Sequence, residues 1–264
     1  MGIVNTTPDS FSDGGRHLDA AAALAHARRL IAEGADIVDV GAESTRPGAE
    51  PVPAEVEIER LIPLIAAIRA ESAVAISVDT MKPTVARAAV AAGATMWNDV
   101  TALSHAADSL DVAAELGCEV VLMHMRGEPR TMQADPQYGD VTAEVAEFLA
   151  ARAAAAMAAG VARDKIWVDP GIGFGKHTTR HNLPLLAGLP VIVALGYPVL
   201  LGASRKGFIG VLDPGAPADQ RLGGSIAAAL HGAVSGVAAV RVHDVRETVQ
   251  ALAVWSAIAG ADRL

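Results

Sequence analysis

Aromatic residues are nearly missing from this chain: Phe, Tyr and Trp together make up 3% of 264 residues, against a hydrophobic share of 52%. A core of that composition must be built from Val, Ile, Leu and Ala, the branched and small residues that fill the layers of α/β barrels. Cysteine is almost absent as well. The single Cys118, in ELGCEVVLM, excludes an intramolecular disulfide and a zinc cluster of thiolates. With no positive neighbour, it reads as a buried structural thiol. An excess of basic charge is lacking: the formal net charge of −9 leaves no basic face for a nucleic-acid partner. The amino terminus has no basic segment followed by an apolar stretch, so secretion is not expected and the cytoplasm is. A membrane span is lacking too. Leu183 to Ser204 and Leu222 to Val240 carry no Asp, Glu, Lys or Arg, but Pro184, Pro190 and Pro198 cut the first and seven polar or glycine positions from Gly223 to Gly236 interrupt the second. Both read as buried α/β core.

What the chain does have is a repeated figure. Eight short apolar runs each end in a residue that can bind or ionise: GIVN (Asn5), DIVDV (Asp39), AISVD (Asp79), TMWND (Asn98), VVLMH (His124), IWVDP (Asp169), PVLLGASRK (Ser204 to Lys206) and VRVHD (His243). Parallel strands buried on both faces read as unbroken apolar stretches. In a (β/α)8 TIM barrel the catalytic groups come from the carboxyl ends of several strands. The expected fold is therefore α/β, one TIM-barrel domain over residues 1–264.

Helices are expected after the strands, at about Asp19 to Glu33, Glu55 to Ala70, from Pro83, Asp108 to Leu116, Thr142 to Ala159, Asn182 to Leu189, Ser225 to Ser235 and Val245 to Ile258. Three segments after strands, Asn5 to His17, Gly41 to Pro53 and His124 to Asp140, exceed the two to six residues usual for such connections. Returns from helix to strand are short steps such as EGADI and AGATM. Function is thus expected on one rim, with long loops as lids or clamps.

The glycine-rich DPGIGFGKHT fails as a nucleotide loop. Counting back from Gly175 and Lys176 places Pro170 where a P-loop needs its first Gly, and His177 stands in the Ser/Thr place. A dinucleotide fingerprint fails because Lys176 stands where a third Gly or Ala is required. What remains is a tight turn behind Asp169 that lets backbone and Phe174 approach a flat ligand.

Taken in order, MGIVNTTPDSFSDGG, DIVDVGAESTRPGA, ISVDT, WNDV, LMHMRGEPRTMQ, DPGIGFGK, GASRKGFIG and VRVHDV span the chain from end to end. This set resembles the dihydropteroate synthase family. The resemblance implies an enzyme of folate biosynthesis that condenses 6-hydroxymethyl-7,8-dihydropterin pyrophosphate with p-aminobenzoate to give 7,8-dihydropteroate and pyrophosphate. It implies a pterin-binding set of Asp79, Asn98, Asp169 and Lys206, whose acceptors and donors suit the amide-like and guanidine-like ring edge. Pyrophosphate is expected to meet Asn5, Thr45, Arg46, Arg241 and His243, with Mg²⁺ held by Asn5 and Asp13. The p-aminobenzoate pocket is expected from Phe11, Pro47, Phe174, Ser204, Arg205 and Lys206, and sulfonamides are expected to compete there. Asn5, Asp13, Lys206, Arg241 and His243 are the expected catalytic residues, and the resemblance also suggests a homodimer through the later helices. Anion or metal contacts lie beside arene contacts on both long loops, so pyrophosphate is expected to bind first and build the second pocket.

Plainer readings cover the rest. Asp39 and His124 read as loop braces, His17, His26, His105 and His177 as surface residues, and Arg126, Glu128 and Arg130 as a solvated loop. Thr6 replaces the apolar residue often found in NVTPDSF, a change expected to be silent. The chain begins on its first strand without the short segment that often precedes MGI in the family, which is expected to leave the barrel bottom less covered. Two other functions fit less well. A methyltetrahydrofolate-dependent methyltransferase needs no STRPG or SRK clamp, and a non-catalytic pterin-binding paralogue would have lost the metal and anion groups.

Overall fold

A computed structural model describes residues 1–6, 16–44, 50–127 and 131–261, with the side chains of 16–19 outside the description. The strands are β1 (Gly2–Asn5), β2 (Ile37–Gly41), β3 (Ala75–Asp79), β4 (Met96–Asp99), β5 (Glu119–Met123), β6 (Ile166–Asp169), β7 (Leu200–Leu201) and β8 (Ala239–Val240). The first six pair in parallel in chain order, and β7 pairs with β8. Single bridges join the two sheets, Val168 with Val199 and Gly2 with Val242. At the closing seam the Ile3 N–H donates to Val242 O (3.2 Å) and the Val242 N–H to Met1 O (2.9 Å). The ring is therefore shut and the fold is a TIM barrel, as the eight apolar runs led us to expect.

Helices α1 (Arg16–Ala32), α2 (Ala54–Glu71), α3 (Pro83–Ala91), α4 (Ser109–Leu116) and α5 (Val141–Ala158) follow the first five strands. Their ends have local causes. Pro83 opens α3 because its missing N–H falls where a helix has no partner for one. Asp140 caps α5 by accepting from the N–H groups of Thr142 and Ala143. The helix expected over Asn182 to Leu189 is instead two short ones, α6 (Asn182–Ala187) and α7 (Leu189–Val193). Gly188 makes the break, and a Cβ there would fall 2.5 Å from the Thr142 side chain of α5, so close packing against the neighbouring helix outweighs helical continuity. A short α8 (Gly207–Leu212), too brief for a periodic signal, precedes α9 (Leu222–Ser235), and α10 (Val245–Ala261) completes the wall.

The core has two parts. Outward-facing strand residues such as Val38, Val40, Ile76, Val78, Trp97 and Leu122 pack against the helices in one continuous cluster. Inside the barrel a smaller cluster of Met1, Met96, Val121 and Leu200 fills the lower layer, with Ile37, Trp167 and Ala239 against it. Side chains alternate along a strand. Two residues above this plug, the same faces carry Asp39, Asn98, Asp169 and Arg241. The barrel is thus apolar below and polar at its mouth. Cys118 is buried, and burial pushes its thiol up to about 11, which makes it inert packing.

Candidate active site

At the centre of the mouth one cation bridges two strands. The Arg241 guanidinium donates from Nε to Asp39 Oδ2 (2.7 Å) and from Nη2 to Asp79 Oδ2 (2.9 Å). Asp39 is fully buried, and its other oxygen accepts from Asn98 Nδ2 at 3.4 Å. Burial raises the Asp79 carboxyl to about 7, with Asp39 adding to the rise and Arg241 opposing it. The same pair of carboxylates holds the Arg241 guanidinium well above its ordinary range. Asp39, read from the sequence as a loop brace, is therefore one wall of the central ion cluster. Its signal was register: it lies two residues below Gly41, on the face that carries Asp79 in the next strand.

On the far side Asp169 ends β6 and is 5% exposed. Burial raises its pKa, and the Gly171 N–H donated to Oδ1 (2.7 Å) pulls the other way, as do the charges of Lys206 and Arg241. Lys206 caps α8, and its ammonium stands 4.2 Å over the Phe174 ring, a cation–π contact. The turn between Asp169 and Lys176 is pinned at almost every peptide. Gly173 N–H donates to Asn182 Oδ1 (2.8 Å), Gly175 O accepts from the Tyr138 hydroxyl (2.8 Å), and Lys176 Nζ donates to Gly171 O (2.9 Å) and Phe174 O (3.0 Å). Its glycines are required. Gly171 and Gly175 have positive φ, and a Cβ on either would lie about 2 Å from a backbone oxygen, of His124 and Arg126 respectively.

His243 follows β8 and lies 3.0 Å, through Nδ1, from the Ser204 hydroxyl. Burial, with Arg205 and Arg241 nearby, pushes it down to about 4. It is thus a neutral imidazole at pH 7. Arg205 differs from expectation. Both sides of its guanidinium engage Asp244 (Nη2 to Oδ1, 2.6 Å; Nε to Oδ2, 3.1 Å), while its backbone has φ 59°. It braces the loops after β7 and β8, and its charge is spent there. Arg241 likewise has its charge balanced by two carboxylates. Asn5 lines a cavity of about 620 Å³ with Ile3, His26, Arg29 and His243, against the face of α1. His26 is half-buried there, with Nε2 3.0 Å from Ile3 O, so it is no surface residue.

The structure brings Asp79, Asn98, Asp169, Phe174, Ser204, Lys206, Arg241 and His243 to one rim, with Asn5 at its edge. Phe11, Asp13, Thr45, Arg46 and Pro47, and with them Glu128 and Arg130, lie outside the described residues. Arg126 is not merely solvated: it pairs with Glu144 at 2.7 Å and stacks 3.9 Å over the Tyr138 ring.

Residues 1–243 match the family described as pterin binding enzyme. The dihydropteroate synthase of Escherichia coli strain K12 is 48% identical over 257 residues, spanning 97% of this chain and 90% of that one. The chain belongs to the dihydropteroate synthase family. It is accordingly a transferase of folate biosynthesis. Among solved structures, the Xanthomonas albilineans dihydropteroate synthase with 4-aminobenzoic acid superposes with TM-score 0.92 at 53% identity, covering 98% of this chain and 92% of that one. The Yersinia pestis dihydropteroate synthase in a sulfonamide drug complex superposes with TM-score 0.93 at 42% identity, covering 98% and 94%. Among the described residues, no helix is long and apolar enough to cross a membrane.

Proposed function

We propose that the rim condenses 6-hydroxymethyl-7,8-dihydropterin pyrophosphate with p-aminobenzoate through the following division of labour. The observation that carries it is the convergence of Asp79, Asn98, Asp169 and Lys206 on a polar mouth above an apolar plug. A pterin ring lies flat in such a cup. Its N–H edge meets the carboxylates of Asp79 and Asp169, and Asn98 and Lys206 supply the complementary amide and cationic donors. Burial raises the pKa of Asp169, and the Gly171 N–H with the charges of Lys206 and Arg241 opposes that rise, in favour of the acceptor form. Arg241, held between Asp39 and Asp79, forms a rigid wall of the cup.

Pyrophosphate would leave toward Asn5 and His243, and Thr45 and Arg46 are its further assigned contacts. His243, neutral beforehand, offers an N–H and gains charge only as the dianionic group arrives, so the site does not hold an uncompensated cation when empty of substrate. Among the described residues no group of three or more His, Cys, Asp or Glu side chains could hold a metal ion. The two oxygens offered by Asn5 and Asp13 suit Mg²⁺, which is commonly held by one or two protein oxygens and the substrate's phosphates. Asn5 and Asp13 would hold it, and when bound it would neutralise charge on the departing group. The pterin methylene then develops cationic character and the arylamine nitrogen attacks. The C–O pair leaves with pyrophosphate, the C–N bond forms, and the nitrogen gives up a proton to the medium.

The p-aminobenzoate carboxylate is assigned to Ser204, and its ring to the wall of Phe174 with Phe11 and Pro47. The structures of X. albilineans dihydropteroate synthase with 4-aminobenzoic acid and with 7,8-dihydropteroate support this substrate and product, and the sulfonamide complex of Y. pestis supports competition by that drug class. Exposed Val234 on α9 and Val254 and Ile258 on α10 support a homodimer through the later helices, and the soluble substrates support a cytoplasmic site of action. Incubating the purified chain with both substrates and Mg²⁺ should yield dihydropteroate, and a chelator should remove most of the activity. No product under these conditions would overturn the reading, and full activity in chelator would overturn the role of the metal.

A further inference from the structure

Lys176 is the least expected residue near the mouth. It is 1% exposed, among the most buried large side chains of the described residues, and no carboxylate among them touches it. A lysine so enclosed normally needs a counter-ion. Here its ammonium is surrounded by neutral acceptors: Gly171 O at 2.9 Å, Phe174 O at 3.0 Å, His124 O at 3.3 Å and His124 Nδ1 at 2.9 Å. Three of the four are carbonyls, which can only accept, so the nitrogen meets them as a donor; burial lowers its pKa to about 7, with Asp169 opposing the fall and Lys206 adding to it. The His124 ring accepts through Nδ1. Burial and the neighbouring lysine push that histidine down to about 3, so the ring stays neutral and able to do so.

The chain of consequence runs from this nitrogen to the site. Gly171 N–H binds Asp169, and Gly171 O binds Lys176. Phe174 O binds Lys176, and the Phe174 ring carries the Lys206 ammonium. The turn is therefore wound around the ammonium of its own last residue, as a loop is wound around a bound cation. We propose that Lys176 is a positioning residue for the pterin site, an internal hydrogen-bond donor that sets Asp169, Phe174 and, through Phe174, Lys206 in the arrangement that meets the ring edge. It does not touch the ligand. It acts on the placement of the carboxylate through the Gly171 peptide. This rests on the assignment of the rim to a pterin.

Calorimetric titration of the full chain with 6-hydroxymethylpterin tests it. Lys176→Met fills the volume and removes the donors, and should raise the pterin Kd at least tenfold. Lys176→Gln, which restores two N–H groups, should recover part of that loss. Double-mutant cycles separate positioning from general loosening. Lys176→Met should be non-additive with Asp169→Asn, on its own turn, and additive with Asp79→Asn, across the mouth on β3. A Kd within twofold of the parent in a folded Lys176→Met protein would overturn the proposal, as would equal coupling to Asp169 and Asp79. Should Lys176→Met fail to fold, Lys176→Gln carries the same cycles and the same criteria. If the unaltered chain does not bind the pterin, the assignment of the rim falls, an outcome visible before any variant is compared.

Discussion

The two sides of the barrel mouth are held by different physics. On the β2, β3 and β8 side, Arg241 lies between Asp39 and Asp79, and the groups are fixed by ion pairs between side chains at strand ends. On the β6 and β7 side, a cation is instead surrounded by backbone carbonyls, and the groups it fixes ride on a glycine turn. Strand ends need only a side chain of the right charge at the right register. A turn has to be told its path, and here it is told by hydrogen bonds to nearly every peptide. The first side depends on its central cation, and the second on its donors.

The largest effect should come from removing the centre of the charged side. Arg241→Leu leaves two buried carboxylates without their cation, and taking away one member of a buried ion pair costs about 3–5 kcal/mol. Denaturant unfolding should show a loss of that order together with loss of synthase activity. A stability change under about 1 kcal/mol would show that Asp39 and Asp79 are held by something other than Arg241. A smaller effect is expected on the turn side. In Asp169→Asn an acceptor-only group gains donors that face the ring N–H groups, at a cost of about 1.5–3 kcal/mol in pterin binding. Unchanged affinity by calorimetry would make Asp169 a brace for Gly171 alone.

The finest comparison is one of pH. The Asp79 carboxyl is raised to about 7 from an ordinary value near 4. Between those values the folded chain holds a proton that the unfolded chain has released, so Asp79 makes the fold less stable as pH rises through 7. Asparagine cannot ionise. The melting temperature of Asp79→Asn relative to the parent should therefore move in favour of the variant between pH 5.5 and 8.5. A difference that is flat across that range would show that Arg241 fully offsets the burial of the carboxylate.

The strands and their order were legible in the sequence because parallel barrel strands are buried on both faces and lose polar punctuation until they reach the rim. Asp79, Asn98, Asp169 and Lys206 were legible for the same reason, as polar residues at the ends of apolar runs. The break at Gly188 was not, since it depends on the approach of Thr142 from another helix. Nor was the engagement of Arg205 with Asp244, which comes from a different βα unit.

By itself, then, the sequence determined that eight buried strands would close and that polar groups would collect at one end, because burial and alternation are local properties of each run. Only the tertiary structure decided what those groups do to one another. Arg241 lies 202 residues from Asp39 along the chain, and the Lys176 nitrogen sits among carbonyls contributed by two separate strand ends. A charge acquires its partner, and a buried ammonium its acceptors, only when the ring is shut.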